Sequence, residues 1–190
     1  MNRTISVIDN YDSFTYNLVH LLEPLVDEVV VMRNDEIDWS VLTTSYAIVL
    51  SPGPELPQTA GKLMQVIERF VNEKPLLGVC LGMQGIINHF DGELFNMPGV
   101  QHGRPVEIVH NGISIFSNIQ NPTVVGLYHS WAAERSALPG DLKATATWGN
   151  VTMAIEHKSL PVYGVQFHPE SILSSHGKQI VKNWLLMIEK

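Results

Sequence analysis

Short β-branched apolar runs alternate with apolar positions at helical spacing through the first half of the chain. Ile5–Asp9 reads as a buried strand. Phe14, Leu18, Leu21, Leu22 and Leu25 then recur at helical spacing, with Asp12 or Ser13 as the expected N-cap. Val29–Met32 and Ala47–Ser51 predict a second and a third strand. Thr59 is placed to cap a helix that carries Leu63, Val66, Ile67 and Phe70 on one face. Leu76–Val79 predicts a fourth strand, followed directly by a helix over Gly82–Phe90. Strands alternating with helices imply a parallel sheet covered on both faces.

The second half has a different rhythm. Val106–Val109, the turn Asn111-Gly112 and Ile113–Phe116 predict a β-hairpin. Val124–Tyr128, Lys143–Trp148, Thr152–Glu156 and Val162–Phe167 follow as closely spaced strands. A last helix starts near His176 and buries Ile180, Val181, Trp184, Leu185 and Ile188. The expected fold class is α/β, with an open, mostly parallel central sheet flanked by helices and an additional antiparallel sheet. No repeat of roughly 20–50 residues and no Gly/Ser linker interrupts the chain, so residues 1–190 are expected to form a single domain.

Composition narrows the function classes. The 190 residues carry 12 Lys+Arg against 19 Asp+Glu, a formal net charge of −7, which argues against nucleic acid as a partner. At 45% hydrophobic the chain is too apolar for disorder, yet no apolar run reaches the length of about 18 residues that a membrane span needs. The start turns polar after a few residues, unlike a secretory signal. Cys80, the one cysteine, has no disulfide partner in the chain, and a cytoplasmic protein is expected.

Cys80 stands in Gly78-Val79-Cys80-Leu81-Gly82, between a predicted strand and a predicted helix. Gly-x-Cys-x-Gly has the form of a nucleophile elbow. The glycines permit a sharp turn, which lifts the side chain to the end of the sheet. The helix N-terminus stabilises a thiolate, and the Leu81 N–H is free to donate to an oxyanion. The competing reading is a small buried core cysteine beside two packing glycines.

A thiol nucleophile needs a base. His168, in Gln166-Phe167-His168-Pro169-Glu170, ends an apolar strand. Pro169 holds His168 extended, and Glu170 is near enough to bond its far ring nitrogen. That supplies the ordered cysteine, histidine and carboxylate of a catalytic triad. His129, in Tyr128-His129-Ser130, also follows a strand and competes as the base. A third loop, Ser51-Pro52-Gly53-Pro54-Glu55, leaves another strand end, and the Gly53 N–H is a candidate second oxyanion donor. All three segments fall at strand C-termini, the edge where open α/β sheets bind ligands.

These segments together resemble the class I (triad) glutamine amidotransferases. Gly78–Gln84 is similar to that family's nucleophile segment, Gln166–Ser171 to its His/Glu segment, and Ser51–Pro54 to its oxyanion loop. The opening Asp9-Asn10-Tyr11-Asp12-Ser13-Phe14-Thr15-Tyr16-Asn17 resembles the small subunits of anthranilate synthase and of the closely similar para-aminobenzoate (4-amino-4-deoxychorismate) synthase. Tyr128-His129-Ser130 and His168–Leu173 fit the same subfamily. The chain departs from the family at Met83, where His is frequent, at Glu55, where Gly is frequent, and at Gly85, where Ala is usual. Met83 and Glu55 are expected to border the pocket.

The resemblance implies roles by position. Cys80 would be the nucleophile, His168 the acid/base and Glu170 its orienting partner. Gly53 and Leu81 would supply oxyanion N–H groups. Gln84, Ser130 and Trp131 would bind L-glutamine, together with backbone around Pro54 and Glu55. No metal and no cofactor is implied. The implied activity is glutamine hydrolysis, with ammonia delivered to a chorismate-binding large subunit (component I). Two alternatives stand beside it: a catalytically silent regulatory subunit on the same fold, and the glutaminase subunit of another amidotransferase such as GMP synthase.

Overall fold

The computed structural model describes residues 3–189. Four β/α steps come first: β1 (Thr4–Asp9), α1 (Thr15–Leu22), β2 (Glu28–Arg33), α2 (Trp39–Thr44), β3 (Ala47–Leu50), α3 (Leu63–Phe70), β4 (Leu76–Val79) and α4 (Leu81–His89). Short and long strands follow: β5 (Phe95–Asn96), β6 (Arg104–His110), β7 (Thr123–Leu127), β8 (Trp131–Ala132), β9 (Leu142–Trp148), β10 (Val151–His157) and β11 (Val162–Val165), before α5 (Gly177–Ile188) packs back onto the sheet.

Among the described residues, nine strands form one sheet in the order β2-β1-β3-β4-β11-β10-β9-β6-β7, and β5-β8 form a separate antiparallel pair. The block β2-β1-β3-β4-β11 is parallel. From β11 outward each pairing is antiparallel. The last strand in sequence is thus inserted at the centre of the sheet, parallel to β4 and antiparallel to β10.

Side-chain alternation splits the core into two layers. Ile5 and Val7 of β1 point to the face covered by α1 and α5, where Leu18, Leu22, Val181 and Trp184 pack. Ile8 points to the face covered by α2, α3 and α4, with Leu42, Phe70 and Ile86. The central strands Ala47–Leu50 and Leu76–Val79 are buried throughout, as expected for strands covered on both faces.

Local details differ from the sequence reading. Helix α1 starts at Thr15 without a side-chain cap, because the Asp12 carboxylate accepts instead from the Phe14 N–H ahead of the helix (2.8 Å). Leu25 falls in a 3-10 turn over Glu23–Leu25. Thr59 ends another 3-10 turn, and α3 begins only at Leu63. The predicted hairpin at Asn111-Gly112 does not form. Ser114–Phe116 is a 3-10 turn instead, and β6 pairs with β7 and β9. Ile115 and Phe116 are both buried, and Asn183 of α5 donates to the carbonyls of Ile115 (3.0 Å) and Ser117 (2.8 Å). Docking on α5 satisfies that backbone, so it needs no strand partner.

Candidate active site

Strands β3, β4 and β11 are consecutive in the sheet and parallel, so the three loops that leave them emerge side by side. The register places Val79 opposite Val165, and the Cys80 N–H donates to the Val165 carbonyl at 2.8 Å. The elbow is therefore tied to the strand that leads to His168.

Cys80 itself has φ +53° and ψ −105°, a conformation that a residue with a side chain adopts only under constraint. The constraint is close packing. A Cβ on Gly78 would lie 2.5 Å from the Gly82 carbonyl carbon and the Met83 nitrogen, and one on Gly82 would overlap the Leu50 carbonyl. Only hydrogen at both positions lets α4 start directly against β3 and β4. The result is the predicted elbow, with Cys80 at the N-terminus of α4 and 5% exposed.

His168 and Glu170 meet as their spacing predicts. Nδ1 of His168 lies 2.7 Å from Oε1 of Glu170, with side chains 2% and 0% exposed. The loop holding them is pinned to β7. His168 N–H donates to the Gly126 carbonyl, while the Ser174 hydroxyl donates to the His168 carbonyl and accepts from the Gly126 N–H. Phe14 meets the His168 ring edge-on at 5.2 Å between centroids, and Tyr128 tilts against it at 4.8 Å. Burial disfavours the imidazolium, but the neighbouring Cys80 sulfur and the Glu170 carboxylate outweigh it and push the His168 pKa up to about 10. Nε2 of His168 makes no hydrogen bond of ordinary geometry. The Cys80–His168 relation is thus one of proximity and charge, as in many unliganded sites whose bonds close on binding substrate.

A cleft of about 110 Å³ opens beside Cys80. Gly53, Pro54 and Glu55 form one wall, and Gln84, Ser130 and Trp131 line it too, with Tyr128 and His129. Seven of the ten residues picked from the sequence line this one space. Leu81, His168 and Glu170 do not line it, and their side chains are buried behind it. Among the described residues neither the Gly53 nor the Leu81 N–H has an acceptor in the protein. A Cβ on Gly53 would come 2.6 Å from both a Leu81 side-chain methyl and the Asn10 Cβ, so only glycine lets this loop pack so closely on the elbow. Met83 does not border the cleft. It is fully buried and packs over Gly164, because the α4 helix turns that position toward the sheet. Glu55 does border it, at φ +64°, the backbone region that favours glycine, with its carboxylate accepting from the Thr59 hydroxyl (3.1 Å).

The Ser130-Trp131 wall is held by the small β5-β8 sheet and by the Met97 N–H, which donates to the Ser130 carbonyl. The Trp131 carbonyl accepts from Gln84 Nε2 (2.9 Å) and pairs with His129 Nδ1 (3.0 Å). A carbonyl only accepts, so His129 carries its proton on Nδ1. Burial, eased by that carbonyl and reinforced by nearby His168, drives the His129 pKa down to about 4. Of the two histidines, only His168 has a carboxylate and an environment that favours taking a proton. Both hydrogens of the Gln84 amide are also committed, to Trp131 and to Gln166 Oε1 (3.2 Å), which leaves its carbonyl oxygen as the polar group available to a ligand.

Sequence reasoning left three contributors without a role: Phe14, Tyr128 and Gln166. Each lies inside a segment singled out by its pattern, but what it touches depends on pairings between distant parts of the chain. Among the described residues no cluster of His, Cys, Asp or Glu is arranged to hold a metal ion, and no helix is long and apolar enough to cross a membrane.

The sequence model of the family described as glutamine amidotransferase class-I matches residues 6–188. The chain is 46% identical over 188 residues to anthranilate synthase component 2 of Pseudomonas aeruginosa, covering 94% of this chain and 93% of that one. It is 43% identical over 185 residues to the aminodeoxychorismate/anthranilate synthase component 2 of Bacillus subtilis, covering 95% of each. It also matches the bifunctional protein TrpGD of Thermotoga maritima at 43% identity, spanning 96% of this chain but only 32% of that longer protein. A crystal structure from Thermoplasma acidophilum, of a protein provisionally named as one subunit of GMP synthase, superposes with a TM-score of 0.88 over 100% of this chain and 95% of that one at 24% identity, which bears on the fold alone. The elbow cysteine, the buried His–Glu pair and the matching of nearly the whole chain lead to one assignment: this protein is a member of the class-I glutamine amidotransferase family.

Proposed function

We propose that this chain is the glutaminase subunit of a chorismate-aminating synthase. The observation that carries the proposal is the convergence of Cys80, His168 and Glu170 at the ends of adjacent strands, beside a cleft sized for an amino-acid side chain. Component 2 relatives of anthranilate and aminodeoxychorismate synthases support the choice of partner, a chorismate-binding component I.

The Cys80 thiolate attacks the side-chain carboxamide carbon of L-glutamine. The carbonyl oxygen takes up negative charge, and the N–H groups of Gly53 and Leu81 donate to it. His168, held by Glu170, gives a proton to the leaving nitrogen as the C–N bond breaks and ammonia departs. The γ-glutamyl thioester remains on Cys80. His168 then takes a proton from water, whose oxygen attacks the thioester and releases glutamate and the thiolate. The Gln84 carbonyl oxygen accepts from the α-ammonium of glutamine, and Ser130 and Trp131 close the same end. No step draws on a metal or a cofactor.

Free ammonia protonates in neutral water and loses its nucleophilicity, so it has to pass directly to the large subunit. The test is a reconstituted complex of this chain with an anthranilate synthase large subunit, and in parallel with an aminodeoxychorismate synthase one. Cys80→Ser is expected to abolish glutamine-dependent amination and to leave ammonia-dependent amination intact. A Cys80→Ser complex that still used glutamine at the normal rate would overturn the assignment, and the aminated product names the pathway.

A further inference from the structure

An unbroken chain of side-chain amides links the cleft wall to the sulfur. The Trp131 carbonyl accepts from Gln84 Nε2 (2.9 Å), Gln84 Nε2 also donates to Gln166 Oε1 (3.2 Å), and Gln166 Nε2 lies 3.6 Å from Cys80 Sγ. Gln84 is 2% exposed and Gln166 is fully buried. The direction of every bond follows from its first member. A carbonyl cannot donate, so the Gln84 group at Trp131 is its NH2. The Gln166 atom facing that NH2 is therefore oxygen, and the Gln166 NH2 is left facing the sulfur. Gln166 stands two residues before His168, on the run that leaves β11, whose register with β4 brings it alongside the elbow.

We propose that Gln166 is a hydrogen-bond donor to the Cys80 sulfur, oriented by Gln84, and that it stabilises the thiolate alongside His168. The sulfur then has two polar supports: a charged one from the imidazole and a neutral one from the amide. The second is worth most where water is excluded, and a buried donor left without an acceptor would be costly. The same chain ends in the cleft at the Gln84 carbonyl. A cation accepted there polarises both amides in turn and strengthens the donation to sulfur, so the occupied cleft favours the reactive form of the nucleophile. This coupling rests on the glutaminase reading above, because it takes the α-ammonium of glutamine as the cation. The donor role does not.

The donor role is tested without glutamine. Cys80 is the one cysteine of the chain, so its alkylation by iodoacetamide reports on one sulfur. Gln166→Met keeps the length of the side chain and removes the donor. Its alkylation rate is expected to fall about tenfold at pH 7 and to return to the parent rate at about pH 9.5, where hydroxide rather than the amide secures the thiolate. A merely structural loss would slow the reaction equally at both values, and that result, or an unchanged rate at pH 7, overturns the proposal. Gln84→Met, which frees Gln166 to rotate, is expected to show a severalfold loss with the same alkaline recovery. Should Gln166→Met not fold, an unchanged profile in Gln84→Met overturns the proposal. A protein that passes these tests but does not hydrolyse glutamine would leave the donor standing and remove the glutaminase reading.

Discussion

The backbone N–H of Cys80 is bonded to the carbonyl of Val165, so the turn that presents the sulfur and the strand that leads to the imidazole are fixed to each other by the sheet itself. Loop mobility has little room to separate them. The geometry of the site thus depends on sheet register and on the few contacts that seal the His168–Glu170 pair.

The Cys80 sulfur and the Glu170 carboxylate around His168 together give the protein an alkaline weakness. His168 has a folded-state pKa pushed up to about 10, against an ordinary value of 6.5. A raised value means that the charged ring favours the fold. The contribution is complete below pH 6.5 and is lost as pH climbs through about 10. Thermal unfolding of the parent is expected to drop in Tm over that window, and Glu170→Gln to flatten the drop. Glutaminase activity of Glu170→Gln is expected to fall by a factor on the order of 10²–10⁴, measured as glutamate release in the reconstituted complex.

His129 works in the opposite direction. Its pKa is lowered to about 4, chiefly by burial, so the neutral ring is the one the fold accepts. This stability is present above pH 6.5 and is lost as pH falls toward 4. The full loss is about 3 kcal/mol. His129→Asn keeps a donor for the Trp131 carbonyl and removes the titration. Urea unfolding between neutral pH and about pH 4.5 is expected to show a smaller loss for the variant than for the parent.

Two glycines of α4 should respond with opposite signs. Gly82→Ala drives a Cβ into the Leu50 backbone, which has no room to yield, and should cost about 3 kcal/mol or more along with the activity. Gly85→Ala places its Cβ 2.8 Å from the Cδ1 tip of Ile67, which can rotate away. The gain in helix propensity then decides the sign, a stabilisation of up to about 1 kcal/mol. Denaturant midpoints of the two variants check both.

Glu55 holds a left-handed backbone position at the lip of the cleft. Glu55→Gly relieves that conformation at the loss of one exposed bond to Thr59. Stability is expected to rise by roughly 0.5–1 kcal/mol with little change in glutamine turnover. Much higher turnover in the variant would mean that the carboxylate, and not only its backbone, acts on the ligand.

How far the sequence can be read depends on the range of the interactions. β3, β4 and the α4 elbow are legible because the signal is local: an apolar run, a glycine pair and a helix pattern in immediate succession. The spacing of His168 and Glu170 predicts their bond for the same reason. Helix α2 is not legible. Its Trp39–Thr44 stretch is short and rich in β-branched and hydroxyl residues, and it forms with the Asp38 cap and burial of Leu42. The false hairpin comes from a genuine turn signal at Asn111-Gly112, overridden because α5 covers Ile115 and Phe116. Gln166 and Phe14 are visible as letters in their motifs, but their contacts with the sulfur and the imidazole exist only after β11 joins β4 and the chain start folds over the loop from β7.

Strand β11, last of the strands to be made and innermost in the sheet, sets a schedule for synthesis. A ribosome releases the elbow cysteine well before Val162–Val165, so the nascent polypeptide presents Cys80 before the residues that flank it in the site, His168 and Glu170, have been translated. Birth order and spatial order are reversed at this seam, so the side chains gathered there can meet only after the innermost ribbon has been translated.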